Sequence, residues 1–257
     1  MDLRLRGSAI LLVGGTRGIG REAARLLGEE GARVALIARD PLALEATAAE
    51  IRALGGEASA FPADATDLGQ AARAVREAAA TMGPFEALIH AAGRGFRGAF
   101  MEIDEATWRE AFDLNFFAVT RIVRLVVPHL NRNGRIVLIG AASGKQPHRH
   151  QSPSNTAKAA LANLTTGLAE ELAPDLVINC VSPGRILTAR RRDRAAEGRA
   201  AGETLDESMR REAEGIPLGR MGDPREVAGV VVFFASPWAS YTTGQSIIVD
   251  GGLVRSV

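Results

Sequence analysis

The 257-residue sequence has very few residues that form covalent or metal cross-links. Its one cysteine, Cys180, lies in the apolar run LVINCV, which is typical of a buried strand thiol rather than a nucleophile. One cysteine excludes an internal disulfide framework, and the sequence offers no Cys/His metal cluster. We therefore expect no metal ion and a reducing, cytoplasmic compartment.

The sequence also lacks an excess of either charge and any long hydrophobic run. Lys and Arg number 31 against 30 Asp and Glu, so nothing in the overall charge favours nucleic acid or an acidic membrane surface as a partner. The N-terminal stretch MDLRLRGSAILLVGG contains an apolar run too short for a signal peptide or a membrane span. These absences favour a soluble intracellular protein that acts on a small molecule.

What the sequence does contain is an alternation of short apolar runs with alanine-rich helical stretches. Each run is almost continuously apolar, as expected for parallel strands covered on both faces. The alternation predicts an α/β fold, a Rossmann-type doubly wound sheet of seven mainly parallel strands with helices on both faces. The predicted strands are 8–13, 33–38, 58–63, 85–91, 135–140, 176–181 and 246–251.

No internal repeat or linker interrupts this alternation, so residues 1–257 are predicted to form a single nucleotide-binding domain. Residues 185–215 are the exception, because they are polar and rich in arginine. We interpret them as an inserted helical lid. The other predicted helices are 20–30, 41–54, 67–82, 104–131, 154–173 and 223–236.

The segment VGGTRGIG (13–20) joins the first strand to the first helix. Gly14, Gly18 and Gly20 allow a tight turn, close approach of the backbone to a pyrophosphate, and close packing of helix on strand. The start of the helix then offers free N–H groups to the phosphates. This arrangement predicts a dinucleotide site.

The end of the second strand indicates which dinucleotide binds. An acidic residue there would bind the ribose 2′-hydroxyl of NAD, but the sequence has Ala38 followed by Arg39. Arg17, in the glycine turn, can approach the same phosphate, and two guanidiniums favour NADP(H). Asp40 precedes a proline and is interpreted as the cap of the next helix.

These segments, together with LIHAAG (88–93), INCVSPG (178–184) and the C-terminal stretch 217–252, resemble the short-chain dehydrogenase/reductase family along nearly the whole chain. The resemblance implies that Asp64 binds adenine, that Gly93 lines the ribose, and that Ile186 and Thr188 hold the nicotinamide carboxamide. It also implies a homotetramer or a homodimer. The cofactor-binding residues expected are Gly14, Thr16, Arg17, Gly18, Ile19, Gly20, Arg39, Asp64, Ala65, Ala91, Gly93, Lys158, Ile186 and Thr188.

The sequence departs from the family pattern at the two positions of the catalytic hydroxyls. The family places its proton-donating tyrosine four residues before the lysine, where this chain has Ser154 before Lys158. The usual serine, thirteen residues earlier, is Ala141. Asn115 and Lys158 remain, whereas Tyr241, the one tyrosine, lies in the C-terminal stretch and is no replacement.

A serine hydroxyl is a much weaker acid than a phenol activated by lysine, so reduction of a carbonyl through Ser154 is expected to be impaired. Hydride addition to an enoyl thioester needs less of that acid, because hydrogen-bond donors stabilise the enolate oxygen and water protonates carbon. Some 2,4-dienoyl-CoA reductases of the family resemble this chain in having serine at the tyrosine position. Ser143, after the fifth strand, is a further candidate donor.

Two other features lie near the predicted pocket. His148 and His150, in the loop KQPHRHQ, are either solvated or proton donors near neutral pH. The segment 184–199 holds six arginines against Asp193 and Glu197, which indicates either a solvated helix face or a site for the phosphates of coenzyme A or a carrier protein.

Three functions therefore remain open. The first is an NADP(H)-dependent oxidoreductase of an activated double bond, with an enoyl or dienoyl thioester as substrate. The second is a carbonyl reductase or alcohol dehydrogenase similar to 3-oxoacyl reductases, with a substitute proton donor. The third is a nucleotide-binding pseudoenzyme. For an enzyme, the candidate catalytic residues are Asn115, Ser143, Ser154 and Lys158.

Overall fold

The structure, a computed structural model, describes residues 2–198 and 202–255. Seven parallel strands form one sheet in the order β3-β2-β1-β4-β5-β6-β7, which confirms the predicted α/β architecture. All seven predicted strands are present. They are β1 (Ala9–Val13), β2 (Arg33–Ala38), β3 (Glu57–Pro62), β4 (Phe85–His90), β5 (Leu130–Ile139), β6 (Leu176–Pro183) and β7 (Ser246–Val249).

The helices cover both faces of the sheet, and alternate residues of the central strands point into the two layers. In β1, Leu11 and Val13 belong to one core, whereas Ile10 and Leu12 belong to the other. The first core is closed by α3 (Leu68–Met82), α5 (Ala118–Val126) and α6 (Ser152–Glu171). The second is closed by α1 (Gly18–Glu29), α2 (Pro41–Ala53) and α9 (Pro224–Ala235). Burial on both faces explains why the strands are continuously apolar.

The predicted long helix 104–131 is wrong in detail, because the chain changes conformation four times within it. It begins as α4 (Glu105–Phe112), passes through a π-helical turn at Asp113–Phe117, and continues as α5. A short 3₁₀ turn follows, and β5 then begins at Leu130, five residues before its predicted start. Apolar periodicity does not distinguish an α-helix from a helix with one π turn, so the π turn could not be predicted from the sequence.

The arginine-rich segment 185–215 contains the two helices α7 (Ala189–Glu197) and α8 (Leu205–Ala213). Thr188 and Thr204 cap them, and Ser208 Oγ donates to Ala195 O to join them. Arg199, counted in the basic segment, lies outside the described residues. Within residues 2–198 and 202–255, no helix combines the length and the hydropathy that a membrane span requires.

Candidate active site

A crevice is expected where neighbouring strands send their connections to opposite faces of the sheet. That point lies between β1 and β4, because β1 leads to α1 on one face and β4 leads to α4 and α5 on the other. The loops that follow β4, β5 and β6 leave the sheet at the same carboxyl edge. The predicted site residues lie along this edge.

The glycine turn brings the loops after β1 and β4 into direct contact. Gly14 has φ +87°, and a Cβ there would lie 2.5 Å from Ala92 N. A Cβ on Gly20 would lie 2.2 Å from Gly14 O, and Ala91 N donates to Val13 O at 2.7 Å. No larger residue fits Gly14 or Gly20 without moving backbone. Because Gly14 and Gly20 carry no side chains, the backbone of the turn stays accessible to a ligand.

Helix α1 begins at Gly18, and its N-cap residue Arg17 makes no side-chain capping bond. The first N–H groups of α1 are therefore available to phosphate oxygens, as the dinucleotide prediction requires. Thr16 and Ile19, the neighbours of the Arg17–Gly18 step, are partly exposed along the same turn. The residues present fit a dinucleotide at this position.

At the ends of β2 and β3, Arg39 is 77% exposed, and its Nη1 lies 3.9 Å from Asp64 Oδ2. Asp64 Oδ1 accepts from the N–H and the hydroxyl of Thr66, which fixes the carboxylate beside the buried Ala65. Asp40 accepts from the N–H groups of Leu42 and Ala43, which confirms its prediction as the cap of α2. Arg39 is consequently paired with Asp64 only at this long distance, and its guanidinium stays largely exposed.

Lys158 lies on α6, and its Nζ donates to Ile139 O at 2.8 Å. Burial lowers the pKa of Lys158 to about 8. His90, at the end of β4, is 1% exposed, and its Nε2 has no hydrogen-bond partner among the described residues. Burial, and then the charge of Lys158, lower the pKa of His90 to about 3, so this imidazole is neutral at physiological pH.

Asn115 is fully buried in the π-helical turn. Its Nδ2 donates to Arg94 O at 3.1 Å and to Ala111 O at 3.0 Å, and its Oδ1 accepts from Arg94 N at 3.3 Å. A Cβ on Gly93 would lie 2.8 Å from Asn115 Oδ1 and 3.5 Å from Lys158 Nζ. Asn115 therefore fixes the loop after β4 next to the lysine.

The hydroxyl of Ser154 is already engaged. It accepts from Phe96 N at 2.6 Å and donates to Phe96 O at 3.3 Å, and the residue is 6% exposed. Ser154 thus ties the start of α6 to the loop after β4. Tyr241 is fully exposed, so it is not positioned as a buried proton donor.

Ser143 occupies the 3₁₀ turn Ala142–Gly144 that follows β5. It is 7% exposed, and its hydroxyl makes no hydrogen bond with the residues that the structure describes. A Cβ on Gly144 would lie 2.8 Å from the carbonyl carbon of Lys158, so this turn packs directly on α6. Ala141 precedes the turn in extended conformation. Of the two candidate serines, Ser143 has the free hydroxyl.

The segment after β6 lies over the glycine turn. A Cβ on Gly18 would be 3.2 Å from Thr188 Cγ2, while Thr188 Oγ1 accepts from Arg191 N at 3.3 Å. Ile186 is 6% exposed and pairs with Gly222 in an isolated bridge. Their contact with the nicotinamide carboxamide stays a prediction from the resemblance.

Sequence reasoning missed Arg94 and Arg97, in the loop GRGFRG after β4. Burial lowers the pKa of Arg97, and the positive charges of Arg191 and Arg185 lower it further. Burial also lowers the pKa of Arg194, and the positive charge of Arg97 lowers it further. We call Arg97, Arg185, Arg191 and Arg194 the mouth cluster. Two arginines in a loop at a strand's carboxyl end were the signal available in the sequence.

His148 faces the mouth cluster, and burial followed by Arg185, Arg191 and Arg97 lowers its pKa. His150 O accepts from Gly98 N at 3.0 Å, which joins the loops after β4 and β5. Within residues 2–198 and 202–255, no three His, Cys, Asp or Glu side chains come together as a metal site would require. The charged groups that this edge offers a ligand are thus mainly the arginines of the mouth cluster and Lys158.

The chain matches one family model and is similar in sequence to several known oxidoreductases. Residues 13–254 match the family model described as enoyl-(acyl carrier protein) reductase. The chain is 32% identical to the 3-oxoacyl-[acyl-carrier-protein] reductase of Thermotoga maritima over 98% of this chain and all of that protein. It is 32% identical to the 2-keto-3-deoxy-L-fuconate dehydrogenase of Xanthomonas campestris, over 98% of this chain and 81% of the relative.

Two solved structures superimpose closely on this chain. The L-sorbose reductase of Gluconobacter frateurii, solved with NADPH and L-sorbose, superimposes with a TM-score of 0.96 at 28% identity, covering all of both chains. A variant of the actinorhodin polyketide ketoreductase, solved with NADPH, gives a TM-score of 0.91 at 31% identity, covering 97% of this chain and 98% of that one. Both solved proteins are named as reductases.

Proposed function

Because the chain belongs to the short-chain dehydrogenase/reductase family, and is an oxidoreductase of that type, we propose that it transfers hydride between NADP(H) and a carbonyl/alcohol pair of a small molecule. One observation carries the proposal. Gly93, Asn115 and the half-buried Lys158 adjoin at the carboxyl end of β4, beside the phosphate-binding turn. The names of the relatives favour a carbonyl substrate over the enoyl thioester that the sequence favoured.

NADP(H) is the proposed cofactor because of charge at the end of β2. Arg17 and Arg39 are exposed, and position 38 is alanine, so no carboxylate there repels a 2′-phosphate. The N–H groups that open α1 would hold the pyrophosphate, and Lys158 would hold the nicotinamide ribose. Ile186 and Thr188 would line the carboxamide. The bound cofactor supplies or accepts the hydride.

The residues of the chain supply position and protons. Reduction of a carbonyl places negative charge on its oxygen, which needs hydrogen-bond donors nearby and a proton. Ser154 is a poor source because Phe96 occupies its hydroxyl. The ammonium of Lys158, with its pKa near 8, is a stronger acid than an ordinary lysine, and a water held by Lys158 and Asn115 would carry its proton. The free hydroxyl of Ser143 would donate to the same oxygen.

A second candidate, reduction of an enoyl thioester, is favoured by the engaged hydroxyl of Ser154, since that reaction requires no phenol at this position. The deciding experiment follows NADPH absorbance with a panel of ketones and enoyl thioesters. Turnover of ketones alone supports the proposal, and turnover of enoyl thioesters alone replaces it with the second candidate. Tight NADPH binding without turnover of either class would identify a nucleotide-binding pseudoenzyme.

We also propose that the protein assembles as a homotetramer, or at least a homodimer, through α4–α5, α6 and the region around β7. Large apolar side chains are exposed in these regions, among them Phe117 (47%), Tyr241 and Ile247 (37%). In water such exposure is relieved when two copies bury the same surface against each other. Light scattering that shows a stable monomer at micromolar concentration would contradict the assembly.

A further inference from the structure

The mouth cluster contains guanidiniums that the protein itself does not neutralise. Arg97 forms no hydrogen bond or ion pair with a described residue, and Arg194 forms no ion pair with one. The Nε of Arg194 is buried without a hydrogen-bond partner. Arg97 is exposed, whereas Arg194 is half-buried, and a half-buried cation without a partner costs free energy that a ligand supplying the missing anion would offset.

The other two arginines of the mouth cluster, Arg185 and Arg191, are bound by residues near the end of the segment 185–215. Arg191 pairs with the carboxylate of Glu212, and Arg185 Nη1 donates to Glu212 O at 2.5 Å and to Glu214 O at 3.2 Å. Among the described residues, Glu212 is the one carboxylate that acts on Arg97 and Arg194, against four arginines. The cluster therefore keeps a net positive charge on a preorganised frame.

The position of the cluster relates it to the reacting end of the site. Arg97 directly follows Phe96, whose N–H and C=O hold the hydroxyl of Ser154. His148 O accepts from Asn155 Nδ2 at 2.8 Å, so the loop after β5 closes the same space from the other side. The cluster is built by the loops that follow β4 and β6, at the edge where α/β sheets bind ligands.

Some arginines elsewhere in the described residues do have carboxylate partners. Arg225 Nη2 lies 2.6 Å from Glu29, and both terminal nitrogens of Arg220 lie 2.7 Å from Glu226. Burial, and then the charges of Arg94 and Arg17, lower the pKa of Arg190, and Arg190 in turn lowers the pKa of Arg194, so this residue links the mouth cluster to the cofactor turn.

From this geometry we infer that the substrate carries an anionic group, a carboxylate or a phosphate, which Arg97 and Arg194 bind while its carbonyl faces Lys158. The inference deepens the proposed function and rests on it for the identity of the reaction. Guanidinium forks bind either group through paired N–H···O bonds. A neutral ketone of the same skeleton would leave both arginines unpaired and should be a much poorer substrate.

The first test measures binding alone, on the protein saturated with NADP⁺. Calorimetry with levulinate, inorganic phosphate and methyl levulinate should give binding of at least one anion and none of the ester. Arg97→Met and Arg194→Met each keep the aliphatic stem and should weaken that anion at least tenfold, about 1.4 kcal/mol. The control Arg192→Met removes an exposed arginine of α7 and should leave the affinity unchanged. Equal loss in all three variants, or no anion binding, would overturn the inference.

The second test measures NADPH oxidation with two matched pairs, levulinate against methyl levulinate and dihydroxyacetone phosphate against dihydroxyacetone. A carboxylate site predicts at least tenfold higher kcat/KM for the first acid over its ester, and a phosphate site predicts the same for the phosphate ester. Anion binding that depends on Arg97 and Arg194 without any ketone turnover would defeat the proposed function and leave the inference standing. Ketone turnover with equal rates for charged and neutral partners would do the reverse.

Thermal unfolding gives a readout that does not depend on a ligand. Because the two guanidiniums lack protein partners, Arg97→Met and Arg194→Met should leave the melting temperature of the ligand-free protein unchanged or raised. Arg191→Met, which breaks the pair with Glu212, should lower it. A loss of stability in Arg97→Met and Arg194→Met as large as in Arg191→Met would show that the arginines serve the fold, and would overturn the inference.

Discussion

The two halves of the candidate site are built from different materials. The cofactor half, at the ends of β1 and β2, consists of backbone: Gly14 and Gly20 exclude any Cβ, and the first N–H groups of α1 stay open. The reaction half, at the ends of β4 and β5, consists of side chains such as Asn115 and Ser154 whose polar atoms are bound to loop backbone. Nucleotide binding therefore depends mainly on the shape of the backbone, whereas the chemistry beside the substrate depends on side chains that a substitution can change.

The largest effect is expected at Lys158. Lys158→Ala should lower kcat/KM about a hundredfold or more, because it removes the ammonium from the centre of the reaction half. Steady-state assays of the substrate found by the NADPH screen measure this. The matched control is Lys145→Ala, which removes the exposed lysine of the loop after β5 and should change kcat/KM less than threefold, that is by about 0.6 kcal/mol or less.

The same residue sets the expected pH dependence. Because the pKa of Lys158 is lowered to about 8, its ammonium is lost as the pH rises through that value. Activity should therefore decline above about pH 8, whereas a lysine of ordinary pKa would keep it constant up to about pH 10. A flat profile between pH 7 and 9.5 would separate Lys158 from the proton supply.

His90 should make the fold sensitive to acid. Its pKa is about 3 in the folded chain and near 6.5 when unfolded, so the unfolded state takes up the proton first as the pH falls. Stability should fall from pH 6.5 downwards, by about 3 kcal/mol at pH 4.5. Urea unfolding of the natural protein and of His90→Leu at both pH values tests this, with His129→Leu as control. The variant should lose most of this pH dependence.

A smaller effect is expected in the cofactor half. NADPH should bind at least tenfold more tightly than NADH, about 1.4 kcal/mol, and Arg39→Asp should reverse the preference by repelling the 2′-phosphate. Fluorescence titration with both cofactors measures it. Arg73→Asp, the same charge change on an exposed residue of α3, should leave the preference intact. Equal affinities in the natural protein would contradict the assignment of NADP(H).

The smallest effect on rate is expected at Ser154. Ser154→Ala should lower activity tenfold or less, but it should cost about 1–3 kcal/mol of stability because it leaves Phe96 N–H unsatisfied in a buried position. Ser152→Ala, two residues earlier in α6, should cost less. A hundredfold loss of activity without loss of stability would make Ser154 a proton donor after all.

A gain-of-function variant tests the reaction half of the site directly. The double variant Ser154→Tyr with Ala141→Ser places the family's usual hydroxyls beside Asn115 and Lys158. We expect faster reduction of simple ketones, provided that the loop held by Phe96 accommodates the phenol, which thermal unfolding of the variant checks. A natural protein as fast as its double variant would show that another acid already suffices.

The sequence was enough to predict the sheet, because parallel strands buried on both faces must be apolar at nearly every position. It also predicted the glycine turn and the cap at Asp40, since both depend on contacts within a few residues. The π-helical turn around Asn115 escaped prediction, because its apolar spacing matches that of an ordinary helix. Local chemistry was therefore readable, and irregularity within a helix was not.

Only the tertiary structure decided which side chains are free to act. Ser154 and Ser143 are equivalent in the sequence, yet Phe96, 58 residues away along the chain, engages the hydroxyl of Ser154, while that of Ser143 makes no bond with the described residues. Arg97 and Arg194 became neighbours through loops that leave different strands. Hydrogen bonds and charges act through distance in space, and spacing along the chain does not contain that distance.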